Sequence, residues 1–186
     1  MDCKDNQGKP YCYARRMYKR FKWDTKVRLD LTVFNNLISC KPSRIFLCST
    51  HELMGEWIPD NWIKSIIDLI NICQPQHTWL LLSKNPSRYA DFDWPKNCYL
   101  GQTVTSPGDF YDIGVNPDFF SFEPLLTDLA QYPIKSAKWY IIGGLTPKPV
   151  HQKEWIDKIV EVADAADILV YIKDNAKYPI IRKELL

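Results

Sequence analysis

Short apolar runs, each cut off by polar residues or glycine, recur along the chain. They are Arg44-Ile45-Phe46-Leu47-Cys48, Thr78-Trp79-Leu80-Leu81-Leu82, Cys98-Tyr99-Leu100-Gly101, Phe119-Phe120-Ser121-Phe122, Trp139-Tyr140-Ile141-Ile142 and Ile168-Leu169-Val170-Tyr171-Ile172. Near-continuous apolar strands of this kind belong to sheets covered on both faces. Helical spacing separates several of them. Trp62, Ile63, Ile66, Ile67 and Ile70 form one face behind the start signal Pro59-Asp60, and Trp155, Ile156, Ile159, Val160 and Ala163 repeat that geometry after His151. The same spacing predicts a helix over 27–39, and another over 10–21 with Pro10 at its start and Tyr13, Ala14, Met17 and Phe21 on one side. Pro107, Gly108, Gly114 and Pro117 predict a loop in place of one crossover between Ser106 and Asp118. Strand–helix alternation without a linker gives a single α/β domain over 1–186 with a largely parallel sheet.

Composition changes this picture little. The chain is 46% hydrophobic and 25% charged, which is ordinary for a globular domain that needs no staples. A net charge of +2 gives no whole-chain argument for nucleic acid or membrane. No apolar run approaches the roughly 18 residues that span a bilayer. The opening Met1-Asp2-Cys3-Lys4-Asp5-Asn6-Gln7-Gly8 is too polar for a secretory signal. Six cysteines, at 3, 12, 40, 48, 73 and 98, then read as reduced thiols of a cytoplasmic protein, with Cys48 and Cys73 in apolar runs. Trp57, Trp62, Trp79, Trp139 and Trp155 read as packing residues, and His77 and His151 as capping or solvent-exposed side chains at element starts.

Chemistry concentrates where strands end. In parallel α/β folds, sites form at the carboxyl ends of the strands. Those ends are polar here: Ser49-Thr50-His51-Glu52, Ser83-Lys84, Gln102-Thr103, Glu123, Gly143-Gly144 and Lys173-Asp174-Asn175. Taken singly, each is an ordinary exposed strand end. The convergence of Lys84, Glu123 and Lys173 points to a site, since a charge directly after a core strand costs desolvation unless it has a partner. His51, beside Glu52, has a further claim to it. Cys3 and Cys12, placed before a first helix, suit an iron–sulfur cluster, a zinc pair or two unrelated thiols. Arg15, Arg16, Lys19, Arg20, Lys22, Lys26 and Arg28 interleave with Tyr18, Phe21 and Trp23. That is either a solvated amphipathic helix or a surface that tracks phosphates and stacks bases.

Several blocks together resemble a phage-associated, radical-SAM-like family of unassigned function. They are Cys12-Tyr13-Ala14-Arg15-Arg16-Met17 after an upstream cysteine, Arg44-Ile45-Phe46-Leu47-Cys48-Ser49, Gln76-His77-Thr78 with Leu82-Ser83-Lys84-Asn85-Pro86, Leu100-Gly101-Gln102-Thr103-Val104, Ser121-Phe122-Glu123-Pro124-Leu125-Leu126, Trp139-Tyr140-Ile141-Ile142-Gly143-Gly144 and Tyr171-Ile172-Lys173-Asp174. The resemblance implies a partial (β/α) barrel of about six mostly parallel strands, lacking the first. It implies a [4Fe–4S] cluster on three cysteines, S-adenosylmethionine bound to it, an electron donor, and a 5′-deoxyadenosyl radical formed against an unknown substrate. Cys12 matches the last cluster cysteine and Cys3 the middle one, with the gap between them expanded. Tyr13 matches the aromatic residue beside the cluster. Lys84, Glu123 and Lys173 match the polar strand ends and are the catalytic candidates. Ser49, His51, Gln102, Gly143, Gly144 and Asp174, with Tyr13, are the cofactor-binding candidates.

The pattern also departs from that family. Its first cysteine would fall before Met1, so Met1 is expected to be an internal methionine. Leu145 stands where the family carries an acidic residue after the double glycine, and the crossover at Ser106–Asp118 is short. The alternative function is a non-catalytic nucleic-acid-binding protein working through Arg15, Arg16, Lys19 and Arg20. A zinc site on Cys3 and Cys12 lacks a second ligand pair at recognisable spacing. No membrane partner is expected.

Overall fold

All six apolar runs are strands, and all are parallel. The computed structural model describes residues 3–4, 8, 10–73, 76–110, 116–132 and 137–186. The strands are β1 (Arg44–Leu47), β2 (Thr78–Ser83), β3 (Cys98–Thr103), β4 (Phe119–Phe122), β5 (Trp139–Ile142) and β6 (Leu169–Ile172), side by side in chain order in one sheet. The sheet curls into a half-barrel with helices on its outer face, the partial barrel that the resemblance implies, whereas the apolar runs predict only a parallel sheet covered on both faces.

Two full-length helices cover the sheet. α3 (Asp60–Ile72) joins β1 to β2 and buries Ile63, Ile66, Ile67 and Ile70 against Trp79 and Leu81. Asp60, in its first turn, suits the positive end of the helix dipole. α4 (Lys153–Ala165) joins β5 to β6 and buries Ile156, Ile159 and Ala163 against Tyr140, Ile142, Val170 and Ile172. Two of the three remaining crossovers carry 3₁₀ helices, Pro86–Asp91 after β2 and Pro107–Phe110 after β3. The predicted loop over 106–118 thus begins with a short turn; Gly114 lies outside the described residues.

Alternation along the strands divides the core. Trp79, Leu81, Phe120, Phe122, Tyr140 and Ile142 face the helices, whereas Leu80, Phe119, Trp139 and Ile141 form a separate cluster on the concave face. The C-terminal residues close its base. Lys183 bridges Tyr171 in antiparallel fashion, Trp139 Nε1 donates to Glu184 O at 3.0 Å, and Arg44 on β1 donates to Leu186 O. One segment thus covers the β6 edge and reaches the first strand, where unpaired backbone would otherwise be exposed.

Four expectations need correction. The helix expected over 27–39 shrinks to α2 (Phe34–Leu37). Asp30 Oδ1 accepts from Thr32 N at 3.0 Å and Thr32 Oγ1 at 2.6 Å, a local turn that competes with helix. Leu29 and Leu31 pack instead on the α3 cluster. His77 is buried, not solvent-exposed: Nδ1 accepts from Ser43 N at 3.2 Å while Nε2 faces Leu37 O at 2.8 Å, tying two loops beneath β2. Trp57 is 50% exposed; its ring lies across Gly55, where a side chain would strike it. His151 also sits outside its helix, with Nε2 2.9 Å from Ala176 O.

Candidate functional site

The carboxyl end of the half-barrel carries two polar clusters, spanned by the N-terminal segment. Lys4 and Pro10 pair in antiparallel fashion, and Tyr11 N donates to Cys3 O at 2.9 Å. This hairpin leads through Cys12 into α1 (Tyr13–Phe21). Pro10, read as the helix start, is spent in the hairpin instead. α1 has no buried residue, so polar contacts hold it. Tyr13 OH donates to Ser49 O at 2.6 Å, Tyr18 OH meets His51 Nε2 at 2.8 Å, and Arg16 donates to Thr146 Oγ1 at 2.8 Å. The helix therefore reaches from the β1 end to the loop after β5.

The first cluster lies after β1 and β2. The Lys84 ammonium is 3.4 Å from Cys3 Sγ and 3.3 Å from Tyr11 OH. Burial opposes its charge, but the Tyr11 phenol and the Cys3 thiol outweigh burial and hold it above the ordinary lysine range. Glu52 fixes the backbone beneath. Its Oε1 accepts from the buried Ser83 hydroxyl at 2.6 Å and Met54 N at 3.2 Å, and its Oε2 from Lys84 N at 2.9 Å. Three donors converge on one carboxylate, which sets the direction in which Lys84 leaves the sheet.

The second cluster lies after β4, β5 and β6. Lys173 and Glu123 form an ion pair, and Asn175 Nδ2 donates to Glu123 Oε1 at 3.3 Å and to Gly144 O at 2.9 Å. Gly144 N donates back to Asn175 Oδ1 at 3.3 Å. Both glycines are needed for closeness. A Cβ on Gly143 would lie 2.7 Å from Glu123 Oε1, and one on Gly144 2.6 Å from Asn175 O.

Of the residues read as site candidates, Glu123 and Lys173 meet, beside Gly143 and Gly144. Lys84 stands apart from them, with Cys3 and Tyr11. Tyr13, Ser49 and His51 belong to the α1 docking seam. Gln102 is buried and donates to Asp109 O, where Asp109 Oδ2 also gathers Thr105 N at 2.6 Å and Ser106 N at 2.9 Å, so it braces the loop after β3. Asp174 points away: its side chain is 97% exposed and pairs with Lys183, which holds its carboxyl below the usual range. Arg15, Lys19 and Arg20 lie on the exposed side of α1, and Arg16 in the docking contact.

Sequence reasoning missed Glu52 as a site residue, and Asn175. Both stand in the polar strand ends, one position beyond His51 and Asp174.

Among the described residues no group of three His, Cys, Asp or Glu side chains gathers to hold a metal. Cys3 lies against Lys84, and Cys12 stands at the start of α1. Neither the half-buried Cys48 nor the buried Cys98 is suited to join them as a ligand. Burial, with the Glu52 carboxylate beside it, pushes Cys48 up to about 11, and burial pushes Cys98 up to about 12. Thiols so shifted are poor ligands and poor nucleophiles at neutral pH. Iodoacetamide at about pH 8 is expected to leave Cys48 and Cys98 unmodified in the native chain and to modify both after denaturation. Peptide mass spectrometry reads this, and rapid native labelling of either would show the burial to be wrong.

A family model described as protein of unknown function (DUF5131) matches residues 3–183. No curated protein and no solved structure matches the chain. No described helix is long and apolar enough to cross a membrane.

Proposed function

The chain belongs to this DUF5131 family, and we propose that it acts as a radical-S-adenosylmethionine-type enzyme whose iron–sulfur site uses Cys3 and Cys12. One observation carries the reading: a cysteine-bearing hairpin sits against Lys84 at the carboxyl mouth of a parallel half-barrel. Cys3 and Cys12 would supply two of the three thiolates that such a cluster needs; among the described residues no group of three His, Cys, Asp or Glu side chains gathers. A [4Fe–4S] cluster, when bound, would supply the electron that splits the sulfonium of S-adenosylmethionine and starts hydrogen abstraction.

The chain's own residues have separate tasks in this reading. Lys84 holds the Cys3 sulfur and the Tyr11 phenol, so it positions the hairpin. Tyr13, through Ser49 O, and Arg16, through Thr146, anchor α1 beside it. Glu123, Lys173 and Asn175 present a carboxylate, an ammonium and an amide over a floor of glycine, which suits a ligand carrying both charges. Phe119, Trp139 and Ile141 keep the concave face apolar behind them.

Anaerobic reconstitution with iron and sulfide tests the reading on the wild-type chain, on Cys12→Ser and on a Cys3→Ser/Cys12→Ser double variant. Wild type is expected to take up iron and sulfide and to give a reduced paramagnetic signal that changes on adding S-adenosylmethionine. Both variants are expected to lose that iron while keeping the same unfolding curve. Equal iron in wild type and double variant overturns the proposal.

A further inference from the structure

Charge along this chain is segregated. Between Arg15 and Arg28 stand seven cations and one carboxylate, Asp24, whereas the other residues carry 17 cations against 21 acids. A chain of net +2 therefore holds one short segment of +6 on a body of −4. The structure gives that segment a face. α1 turns Tyr13, Ala14, Met17 and Tyr18 towards the strand ends, and the same helical period puts Arg15 and Lys19 next to each other on the opposite side, while Arg20 stands exposed one turn beyond Arg16 and Lys22 follows as the C-cap. Asp24 is taken up by Arg28 at 3.0 Å and by Lys26 N at 2.9 Å.

An aromatic platform closes the end of this face. Lys22 turns the chain in a left-handed conformation (φ 53°), and Trp23 N donates back to Tyr18 O at 3.1 Å. Phe21 and Trp23 then stack with centroids 5.3 Å apart and planes at 23°. Each stays about half exposed, 48% and 47%. Trp23 also meets the Tyr18 ring edge-on at 5.4 Å, and Tyr18 is held by His51, so the platform is tied to the sheet. The Arg20 guanidinium lies 5.3 Å over the Phe21 ring. Two stacked, exposed rings cost hydrophobic surface that the core did not absorb.

We infer that the outer face of α1, with the Phe21–Trp23 pair, binds single-stranded nucleic acid. A cluster of cations tracks a phosphate backbone, and exposed ring faces take up bases only where those bases are unstacked, which excludes a duplex as the favoured form. The inference deepens the enzyme reading by naming a substrate class, but it rests on a different face of α1 from the cysteine hairpin and stands without the cluster.

The test is fluorescence anisotropy with a labelled oligonucleotide of about 20 nucleotides, single-stranded and duplex, at several salt concentrations. Vesicles of phosphatidylserine serve as a second polyanion. The expected result is saturable binding of the single strand, at least about 10-fold tighter than of the duplex or the vesicles. Lys19→Ala/Arg20→Ala/Lys22→Ala is expected to weaken it about 10-fold or more and to flatten its salt dependence. Phe21→Ala/Trp23→Ala is expected to weaken it about 10-fold with the salt slope kept. Both variants leave Arg16 and the docking contacts intact, and their unfolding curves are expected to match wild type. No saturable binding, equal binding of duplex or vesicles, or unchanged affinity in either variant overturns the inference. The reconstitution experiment fails or succeeds independently, because it reads iron on Cys3 and Cys12.

Discussion

Alanine at position 101 lowers the unfolding free energy by about 2–3 kcal/mol, the cost of overfilling a packed sheet. Gly101 pairs with Phe119 across β3 and β4, and a Cβ there would lie 2.2–2.5 Å from three atoms of that ring. Carbon atoms rest at about 3.5–4.0 Å, so the ring must move by more than an ångström. It has nowhere to go. Phe119 is fully buried, with Trp139 5.5 Å away and Leu80 and Ile141 in the same cluster. Urea denaturation checks the value, with the m-value expected to stay constant. In the Gly101→Ala background, Phe119→Leu is expected to recover a large part of the loss by freeing the contested volume. A loss below about 1 kcal/mol would mean that the concave face yields, and that β3 and β4 are less tightly registered than their pairing implies.

That glycine shows what kind of information the sequence carried. Six apolar runs became six parallel strands because near-continuous hydrophobicity reports burial on two faces, which is a local property. Gly101 was visible as the end of a run. Its reason was not, since the ring that fills its place comes from position 119, one strand away. The helix expected over 27–39 failed for a related reason. Its apolar spacing was genuine, but Asp30 and Thr32 satisfy one another locally, and Leu29 and Leu31 reach the core from an extended chain.

The site was legible as a set of positions and not as a set of partners. Lys84, Glu123 and Lys173 each follow a core strand, so their arrival at one end of the sheet follows from parallel topology. Which of them meet depends on the curl of the sheet and on the loops. Lys173 finds Glu123 across two strands, whereas Lys84 turns to the N-terminal hairpin. Asp174 and Asn175 exchange roles through a 3₁₀ turn over Asp174–Ala176, which rotates successive side chains by about 120°. Asp174 turns out to Lys183, and Asn175 turns in to Glu123 and Gly144. A polar run after a strand announces that a residue faces the mouth; it does not say which one.

Glu52 is the sharpest instance, and removing it carries the other large expected effect. Glu52→Ala is expected to cost about 2–4 kcal/mol, because it strands three donors at once. The Ser83 hydroxyl is almost fully buried, and Met54 N and Lys84 N point at the same carboxylate. Hydrogen bonds to a charged acceptor are worth about 1.5–3 kcal/mol each, and their sum is reduced because the loop relaxes and admits water. Glu52→Gln is expected to lie between, at about 1–2 kcal/mol, since the amide keeps one acceptor oxygen and sets its NH₂ against a donor. Unfolding in urea orders the three proteins. The site should respond as well. Lys84 N loses its anchor in Glu52→Ala, so the ammonium leaves Cys3 and Tyr11, and its acylation by an amine-reactive reagent in the native chain is expected to accelerate. Under the proposed function, iron retention falls in the same variant although no ligand was touched. A Glu52→Ala chain within about 0.5 kcal/mol of wild type, with Lys84 as slow to react as before, would show that the first cluster is held by the hairpin itself and not by the carboxylate beneath it.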